Sequence, residues 1–395
     1  MKKLFCILFC LIFTTFALVG CGDVERDEWL GQGTNEDGNV VGGKYHGYPT
    51  VSEIPDIAIN LYIIVEDSTL DKDLGAIIID DDKKLGEITQ SINTVNNAIK
   101  DFTSTKYHTE VNVVYVKASD YDSVVLGAVK NGTANIVLVN SYTLMQDLYA
   151  TGKLCSLDSY LATDKYGTLN TSIPSALLEA SKIDSSLYTI PNNHVIGEYE
   201  YLLINKDMAM AAKISEDQAL ALNSYETAVA AFNLGGVNKV SAEMVSLVSG
   251  SYEDRFLFEA QGYYCNVVKN PIADKNEAFA SAFAIIDHNT PNGKVDINER
   301  SMEIIYGINT NVTLRNLLQY GVAGTNYTLG EEEGVIEELV GGSNRYDMNL
   351  IFTGDIMYAN YCDQIGWNAE AKKNAIAQNS DSQNVEIYAP STEEE

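Results

Sequence analysis

The chain has 395 residues, 46% of them apolar, and its 55 acidic side chains outnumber 26 basic ones to give a formal net charge of −29. Such an acidic surface repels phosphate backbones, so the composition disfavours nucleic-acid binding and adsorption to anionic lipid. The length exceeds what one hydrophobic core usually serves, which favours two domains.

The first twenty residues have the pattern of an export signal, because Lys2 and Lys3 precede an apolar run over residues 4–19. That run is too short to span a bilayer comfortably. It ends in Leu18-Val19-Gly20-Cys21, which resembles the lipobox of bacterial lipoproteins. The resemblance implies a signal peptide over 1–20 and lipidation of Cys21, with an ordinary signal peptide or a short anchor helix, either with an incidental cysteine, as the alternatives.

Residues 21–54 lack an apolar period and are predicted to form a flexible tether. The pattern then alternates between strand and helix. Strands are predicted at 57–65, 111–116 and 135–139, and helices at 84–102 and 121–130. This alternation predicts a parallel sheet covered by helices on both faces.

Polar residues at 192–194 follow a short predicted strand at 187–191 and precede another at 199–204. They are interpreted as a crossing between two lobes. The remaining predicted elements are helices at 144–150, 174–182, 216–222, 225–232, 277–286 and 299–320, a strand at 349–352 and a frayed tail over 381–395.

Five strings in a fixed order resemble the extracellular solute-binding proteins of ABC importers, the family that contains the maltose-binding type. They are Gly152 to Asp158, Leu187 to Pro191, Leu202 to Asp207, Asn316 to Tyr327 and Met348 to Asp355. The resemblance covers roughly residues 55–375. It implies an α/β fold of the two-lobed periplasmic-binding-protein type II, in which each lobe has a mostly parallel sheet flanked by helices.

The resemblance also implies a division of the chain into a first lobe over 55–193 and 351–380 and a second, helix-rich lobe over 194–350. Such proteins usually continue past the returning strand with helices that complete the second lobe, and this chain does not. A smaller second lobe or a shortened product is therefore expected.

By this resemblance the chain captures a small polar solute, a sugar or oligosaccharide, by lobe closure and delivers it to ABC permease subunits. It would be a monomer without a cofactor, held at the extracytoplasmic face of the cell membrane by lipid alone. The four histidines form no metal-ligand pair, and no G-x-S-x-G elbow or P-loop occurs, so no enzyme is predicted. A cell-surface glycan hydrolase and an adhesion or scaffold lipoprotein are the alternatives.

Candidate ligand-binding residues follow the predicted strands and flank the family strings, where loops at strand ends face a ligand in two-lobed binders. In chain order they are Asn140, Ser141, Tyr142, Asn192, Asn193, His194, Glu198, Tyr199, Tyr327, Asp355, Tyr358 and Trp367. For Glu198 the resemblance implies a carboxylate that accepts hydrogen bonds from sugar hydroxyls. The 24 tyrosines supply rings that can stack on sugars. Packing or plain solvent exposure is the alternative for each residue.

One loop resembles the calcium loop of an EF-hand through Asp287, Asn289, Asn292, Asp296 and Glu299. It is one residue too long, and a proline stiffens its turn. The favoured alternative is that Asp296 or Asn298 caps the helix that follows, and no metal is predicted.

Three cysteines remain after export and lipidation, namely Cys155, Cys265 and Cys362. They lie far apart in the sequence and allow one disulfide at most. Free thiols are the favoured prediction.

Overall fold

The computed structural model describes residues 33–34, 40–41, 57–65, 85–288, 296–341 and 344–384. The strands are β1 Gly33–Thr34, β2 Val40–Val41, β3 Ile57–Val65, β4 Thr109–Lys117, β5 Ile136–Val139, β6 Thr189–Pro191, β7 Tyr199–Asn205, β8 Val245–Gly250, β9 Tyr263–Lys269, β10 Ile272–Ala273, β11 Ala282–Ile285, β12 Tyr327–Leu329, β13 Ile336–Leu339 and β14 Gln383–Asn384. The helices are α1 Leu85–Tyr107, α2 Tyr121–Asn131, α3 Tyr142–Ala150, α4 Asp158–Leu161, α5 Leu169–Ser172, α6 Ser175–Ala180, α7 Lys206–Ala211, α8 Glu216–Leu220, α9 Tyr225–Leu234, α10 Asp254–Ala260, α11 Lys275–Ala280, α12 Ile297–Thr310, α13 Val312–Tyr320 and α14 Ala369–Asp381.

The larger sheet has five strands in the order β4-β3-β5-β11-β6. Strands β4, β3 and β5 are parallel, and β11 runs antiparallel between β5 and β6. Strands β5 and β6 are therefore parallel to each other. The predicted alternation of strand and helix is confirmed for β3 to β5. The apolar residues of β3 and β5 are mostly buried, which favours parallel pairing.

The smaller sheet has three strands in the order β8-β7-β9, and both of its pairings are antiparallel. The prediction of a mostly parallel sheet in each lobe is therefore wrong for this sheet. Strands β8 and β9 run in the same direction and are joined through α10, as a strand-helix-strand pattern predicts. Strand β7 separates them and runs the opposite way, so no parallel pair forms.

The buried apolar side chains form separate clusters around the two sheets. The largest cluster draws on residues 59–196 and 273–348, whereas two smaller clusters lie wholly within residues 199–265. The division into lobes, with the second over 194–350, stays a prediction, and the largest cluster includes buried residues between 273 and 348. Strand β11 and helices α12 and α13 pack with the first core, and the second sheet with its helices occupies only residues 199–269.

Three predicted elements differ in the structure. The predicted helix over 277–286 ends at Ala280, and the next four apolar residues form β11. The predicted helix over 299–320 breaks at Asn311, whose side chain caps α13 by accepting a hydrogen bond from the Leu314 amide at 3.0 Å. The predicted strand at 349–352 is instead a 3-10 turn, Leu350–Thr353.

The ends of the chain are described only in part. Its contacts divide it into two units, Met1–Pro55 and Asp56–Glu395. In the first unit β1 and β2 form an antiparallel pair inside the predicted tether, and the predicted export signal and lipidated cysteine lie outside the described residues. In the second unit residues 383–384 of the predicted frayed tail form β14, which pairs with β10, and the rest of that predicted tail lies outside the described residues.

Candidate ligand site at the carboxyl edge of the larger sheet

Polar side chains line the edge of the larger sheet where its parallel strands end. The pairing places Val139 beside Ala282 and Ala282 beside Pro191. The next residues along these strands are Asn140, Ser281 and Asn192, which therefore lie side by side at this edge. In open α/β sheets, ligands bind outside the carboxyl ends of the strands. The structure thus brings two of the predicted residue groups together, 140–142 and 192–194.

Asn192 is fully buried and is fixed by three hydrogen bonds. Its backbone amide donates to the carbonyl of Ser281 at 2.9 Å, and its side-chain amide donates to the Ser281 hydroxyl at 2.8 Å and to the Ile351 carbonyl at 3.0 Å. The Asn192 Oδ1 atom has no hydrogen-bond partner among the described residues, and the same holds for Asn140 Oδ1. Two buried acceptors therefore remain unsatisfied at this edge, and leaving such groups unpaired is costly.

His194 is also buried, and its ring is oriented by the chain itself. Nδ1 lies 2.7 Å from the carbonyl oxygen of Asn192, so this nitrogen carries a proton and donates. Nε2 lies 3.5 Å from the carboxylate of Glu277 on α11, too far for an ordinary hydrogen bond. The ring is thus held in place, with one nitrogen available for a further contact.

Tyr142 provides an aromatic surface at the same edge. Its half-buried ring stacks on Phe279 with a centroid separation of 5.7 Å and an interplanar angle of 10°. Phe279 is fully buried and fixes the tyrosine ring from behind. The neighbouring Ser141 caps α3 by accepting a hydrogen bond from Leu144 at 3.1 Å, which leaves its hydroxyl proton free to donate.

Asp355 belongs to the later part of the chain, and the residue after it contacts the crossing at residues 192–194. The Ile356 amide, one residue on, donates to the Asn193 carbonyl at 3.0 Å, and the Asp355 Oδ1 atom accepts from the Met357 amide at 2.8 Å. Burial raises the pKa of Asp355 to about 6, against the opposing hydrogen bond from Met357. Its Oδ2 atom has no hydrogen-bond partner within the described part of the chain.

Arg315 on α13 supports this turn from within the core. Its guanidinium is fully buried and donates to the carbonyls of Asp355 at 3.2 Å and Leu350 at 2.8 Å. Burial lowers the pKa of Arg315 to about 10, although the nearby Asp355 opposes that shift. The guanidinium therefore holds the Leu350 and Asp355 carbonyls of the turn in place by hydrogen bonds.

The other predicted binding residues do not join this edge. Tyr199 is buried and donates to Asp381 at 2.9 Å, whereas Glu198 is exposed beside it. Tyr327 is buried against Tyr320, with ring centroids 6.0 Å apart.

Two more predicted residues lie in the later part of the chain. Trp367 is buried in a small apolar cluster with Ile356 and Ala375. Tyr358 is half-buried, and its carbonyl accepts from Asn316 at 3.1 Å. A packing role accounts for the buried position of Trp367.

The calcium-loop residues are used in other ways where the structure describes them. Asp296 caps α12, as the favoured alternative predicts, and Asn298 donates to Asp287 at 2.8 Å. The Glu299 carboxylate accepts from Lys165 at 2.6 Å and from Tyr166 at 2.7 Å. Two of the predicted ligands, Asn289 and Asn292, lie outside the described residues. Among the described ones, no group of three or more His, Cys, Asp or Glu side chains is placed to hold a metal ion.

The three cysteines of the body are free thiols, as predicted. Cys265 and Cys362 are buried, and Cys155 is half-buried. Burial raises the pKa of both Cys155 and Cys265 to about 11. These thiols are therefore poor nucleophiles at neutral pH.

Sequence reasoning did not find Ser281, Phe279 or Arg315. The first two lie inside a segment with a helical apolar pattern, which gave no sign of a sheet edge. Arg315 did carry a signal, because it is a lone charge within an otherwise apolar and amide-rich helix. A long charged side chain in such a position is rarely buried unless it has partners.

Comparison with known proteins gives matches among solved structures alone. No protein-family model matches the sequence, and no curated protein matches it. The structure is similar to an N-glycan transport solute-binding protein of Streptococcus pneumoniae, with a TM-score of 0.49, 14% identity and coverage of 83% of both chains.

It is also similar to a family 1 extracellular solute-binding protein of Alicyclobacillus acidocaldarius, with a TM-score of 0.39, 10% identity and coverage of 84% of this chain and 87% of that chain. A cyclic α-maltosyl-1,6-maltose binding protein of Arthrobacter globiformis gives a TM-score of 0.36 and 9% identity over 83% of this chain and 88% of that chain. The first two of these structures are named as solute-binding proteins, and the third is named for the sugar that it binds. In the described part of this chain, no helix has both the length and the apolarity needed to cross a bilayer.

Proposed function

We propose that this chain is a non-enzymatic solute-binding protein that captures a carbohydrate between its two sheets. Closure of the smaller sheet over the carboxyl edge of the larger one would bury the sugar. The loaded form would then be presented to the permease subunits of an ABC importer. The export pattern and Cys21 support a position at the extracytoplasmic membrane face, where lipid holds the tethered body.

The observation that carries this proposal is the polar edge formed by Asn140, Ser281 and Asn192, together with the ring of Tyr142. It lies where the chain leaves the larger sheet for the smaller one. Unpaired acceptors such as Asn140 Oδ1 suit the hydroxyl donors of a sugar, and a backed aromatic ring suits its apolar face. Unpaired acceptors and an aromatic ring are the groups that a sugar-binding site needs. A covalent mechanism instead needs an activated nucleophile, and burial raises the pKa of the cysteine thiols rather than lowering it.

The proposal is tested by thermal unfolding of the body in the presence of a panel of mono- and oligosaccharides. A ligand at about 100 times its Kd adds roughly 2.7 kcal/mol to the stability of the folded state, which raises Tm by several degrees. The expected result is a rise in Tm with a small subset of sugars and no consumption of those sugars over time. The absence of any shift across the panel, or steady product formation, would contradict the proposal.

A pair of tyrosine variants localises the site. Tyr142→Ala removes the stacked ring at the sheet edge and should weaken binding of the stabilising sugar by roughly tenfold or more, since such a contact contributes about 1 kcal/mol beyond area burial. Tyr225→Ala is the matched control, because Tyr225 is an exposed tyrosine on α9. Equal affinity of the two variants would place the ligand elsewhere.

The proposed anchoring has a separate test. Replacing Cys21 by Ser should release the protein from the membrane fraction into the medium, while sugar binding by the body stays unchanged. Retention of the Cys21→Ser protein on membranes would show that another element holds it there.

A further inference from the structure

The chain connects its two sheets twice, and both connections are bonded to the C-terminal part of the chain. The first connection, residues 192–198, runs from β6 to β7 and contacts helix α14. The second, residues 270–271, runs from β9 to β10 and contacts Gln383, which follows α14. Both contacts join residues far apart in the sequence, so they come from tertiary packing.

Asn379 on α14 makes three hydrogen bonds with the first connection. Its Nδ2 atom donates to Asn193 Oδ1 at 3.1 Å and to the His194 carbonyl at 2.7 Å, and its Oδ1 atom accepts from the Ile196 amide at 2.9 Å. The side chain is buried. It therefore supplies the hydrogen-bond partners that this stretch, which is not part of a sheet, would otherwise lack.

Gln378 binds the same connection and also reaches the smaller sheet. Its Nε2 atom donates to the carbonyls of Ile196 at 3.1 Å and Gly197 at 2.5 Å. Its Oε1 atom accepts from the amide of Tyr252, which follows β8, at 2.8 Å. The buried side-chain amide of Gln378 thus joins the first connection to the segment of the smaller sheet, which would move on closure.

The two connections themselves lie against each other at Gly197. This residue has φ of +52°, and a Cβ atom there would lie 3.1 Å from the Ile272 carbonyl oxygen. Beyond α14, the Gln383 amide donates to the carbonyl of Pro271 at 2.9 Å. The crossing segments and the end of α14 therefore form one bonded group.

We propose that Gln378 and Asn379 are positioning residues, which fix the path of residues 193–197 and so set both the angle between the sheets and the orientation of His194 toward a ligand. The consequence for ligand affinity rests on the function proposed above. The consequence for the angle does not, and it can be measured without any ligand.

The test replaces a donor while keeping the acceptor. In Asn379→Asp, one carboxylate oxygen still accepts from Ile196, but the other faces the His194 carbonyl and Asn193 Oδ1 and repels both. The Asn193 amide cannot rotate to compensate without losing its 3.1 Å bond to the Ser172 carbonyl. Asn374→Asp is the matched control, since it makes the same change of charge on the same helix.

Two measurements are made on the full chain without ligand. The first is hydrogen exchange of peptides covering residues 193–197. The second is the distribution of distances between dyes on Lys130→Cys in α2 and Asp217→Cys in α8, both of which are exposed. Asn379→Asp should speed the exchange by at least about tenfold, because one lost hydrogen bond gives about that factor and two donated bonds are lost, and it should broaden the distance distribution. Behaviour identical to that of Asn374→Asp would overturn the proposal.

Two further measurements keep the proposal testable if Asn379→Asp does not fold. Gln378→Glu keeps the acceptor for Tyr252 and loses both donated bonds, so it should give the same broadening. In the wild-type chain, the amides of Ile196 and Tyr252 should exchange as slowly as those of β7, and fast exchange there would overturn the proposal by itself. If no sugar binds the wild-type chain, the proposed function fails while both ligand-free measurements still decide the positioning role.

Discussion

The buried carboxyl of Asp355 predicts an unusual pH dependence of stability. Burial raises its pKa from 3.8 to about 6, although attraction to Arg315 and Lys372 opposes the shift. The folded state therefore holds the proton more tightly than the unfolded state. By linkage, the favourable contribution of this group is complete below pH 4 and is lost as the pH rises to about 6.

The size of the effect follows from the difference between the two pKa values. A rise from 3.8 to about 6 corresponds to roughly 3 kcal/mol of stability lost between pH 4 and pH 7. Asp355→Asn removes the titration, and the amide still offers an oxygen to the Met357 amide. The variant should therefore be more stable than the wild type at pH 7.5, and the difference should shrink or reverse at pH 4.5.

Urea unfolding of both proteins at the two pH values measures this difference directly. Asp207→Asn is the control, because it makes the same loss of a carboxylate at an exposed position on α7. If Asp355→Asn and the wild type lose stability in parallel from pH 4.5 to 7.5, Asp355 does not titrate in this range and the argument from its burial is wrong.

Three further outcomes are expected. Gly354→Ala should lower the free energy of unfolding by about 3 kcal/mol or more, because φ is +109° and the new Cβ atom would lie 2.5 Å from the Ile308 carbonyl oxygen; a small change in urea midpoint would contradict this. Tyr166→Phe removes the 2.7 Å hydrogen bond to Glu299 and should cost about 1–3 kcal/mol by the same assay, and an unchanged midpoint would show that the bond contributes nothing. Cys265 should resist alkylation at pH 8 in the folded protein and react fully in urea, as mapped by mass spectrometry, since it is buried and its pKa is about 11; rapid labelling without urea would show that it is accessible.

The first half of the larger sheet could be predicted from the sequence because β3 and β4 are nine residues long with clear apolar patterns, and the short β5 follows a helix that ends clearly at Gly132. Strand β11 could not, because Ala282–Ile285 is only four residues long and continues the apolar spacing of α11. A short run buried on both faces has no period that separates strand from helix. Its burial comes from β5 and β6, more than 80 residues earlier in the chain.

The smaller sheet was predicted only at β7. Strand β8 alternates buried and exposed positions weakly, and Leu247 is 44% exposed. Strand β9 has a similar pattern, with exposed Val267 between half-buried neighbours. Edge strands of a three-stranded sheet bury little apolar surface, so their sequences carry little of the signal from which a strand is predicted.

The candidate site could be predicted only in part, because some of its residues follow predicted strands whereas their partners come from distant parts of the sequence. Asn140 and Asn192 follow strands, so local pattern alone places them at a sheet edge. Their partners carry no such signal, because Ser281 is 89 residues from Asn192 and Asn379 is 186 residues from Asn193. These pairings depend on how the two connections and α14 pack, which only the tertiary structure shows.

The same packing constrains how the proposed closure can occur. Two independent linkers would leave the smaller sheet free to rotate, but here Gly197 in the first connection lies against Pro271 in the second and against the adjacent Ile272. Gln378 also links the first connection to the smaller sheet, because it accepts a hydrogen bond from Tyr252, which follows strand β8. In the proposed closure we therefore expect the two connections to turn together, with rotation at positions whose side chains make no bond to α14, such as the exposed Val195 and Glu198. A ligand that closes the sheets has to do so by bonding more strongly to the closed arrangement, because a ligand of equal affinity for both would shift nothing.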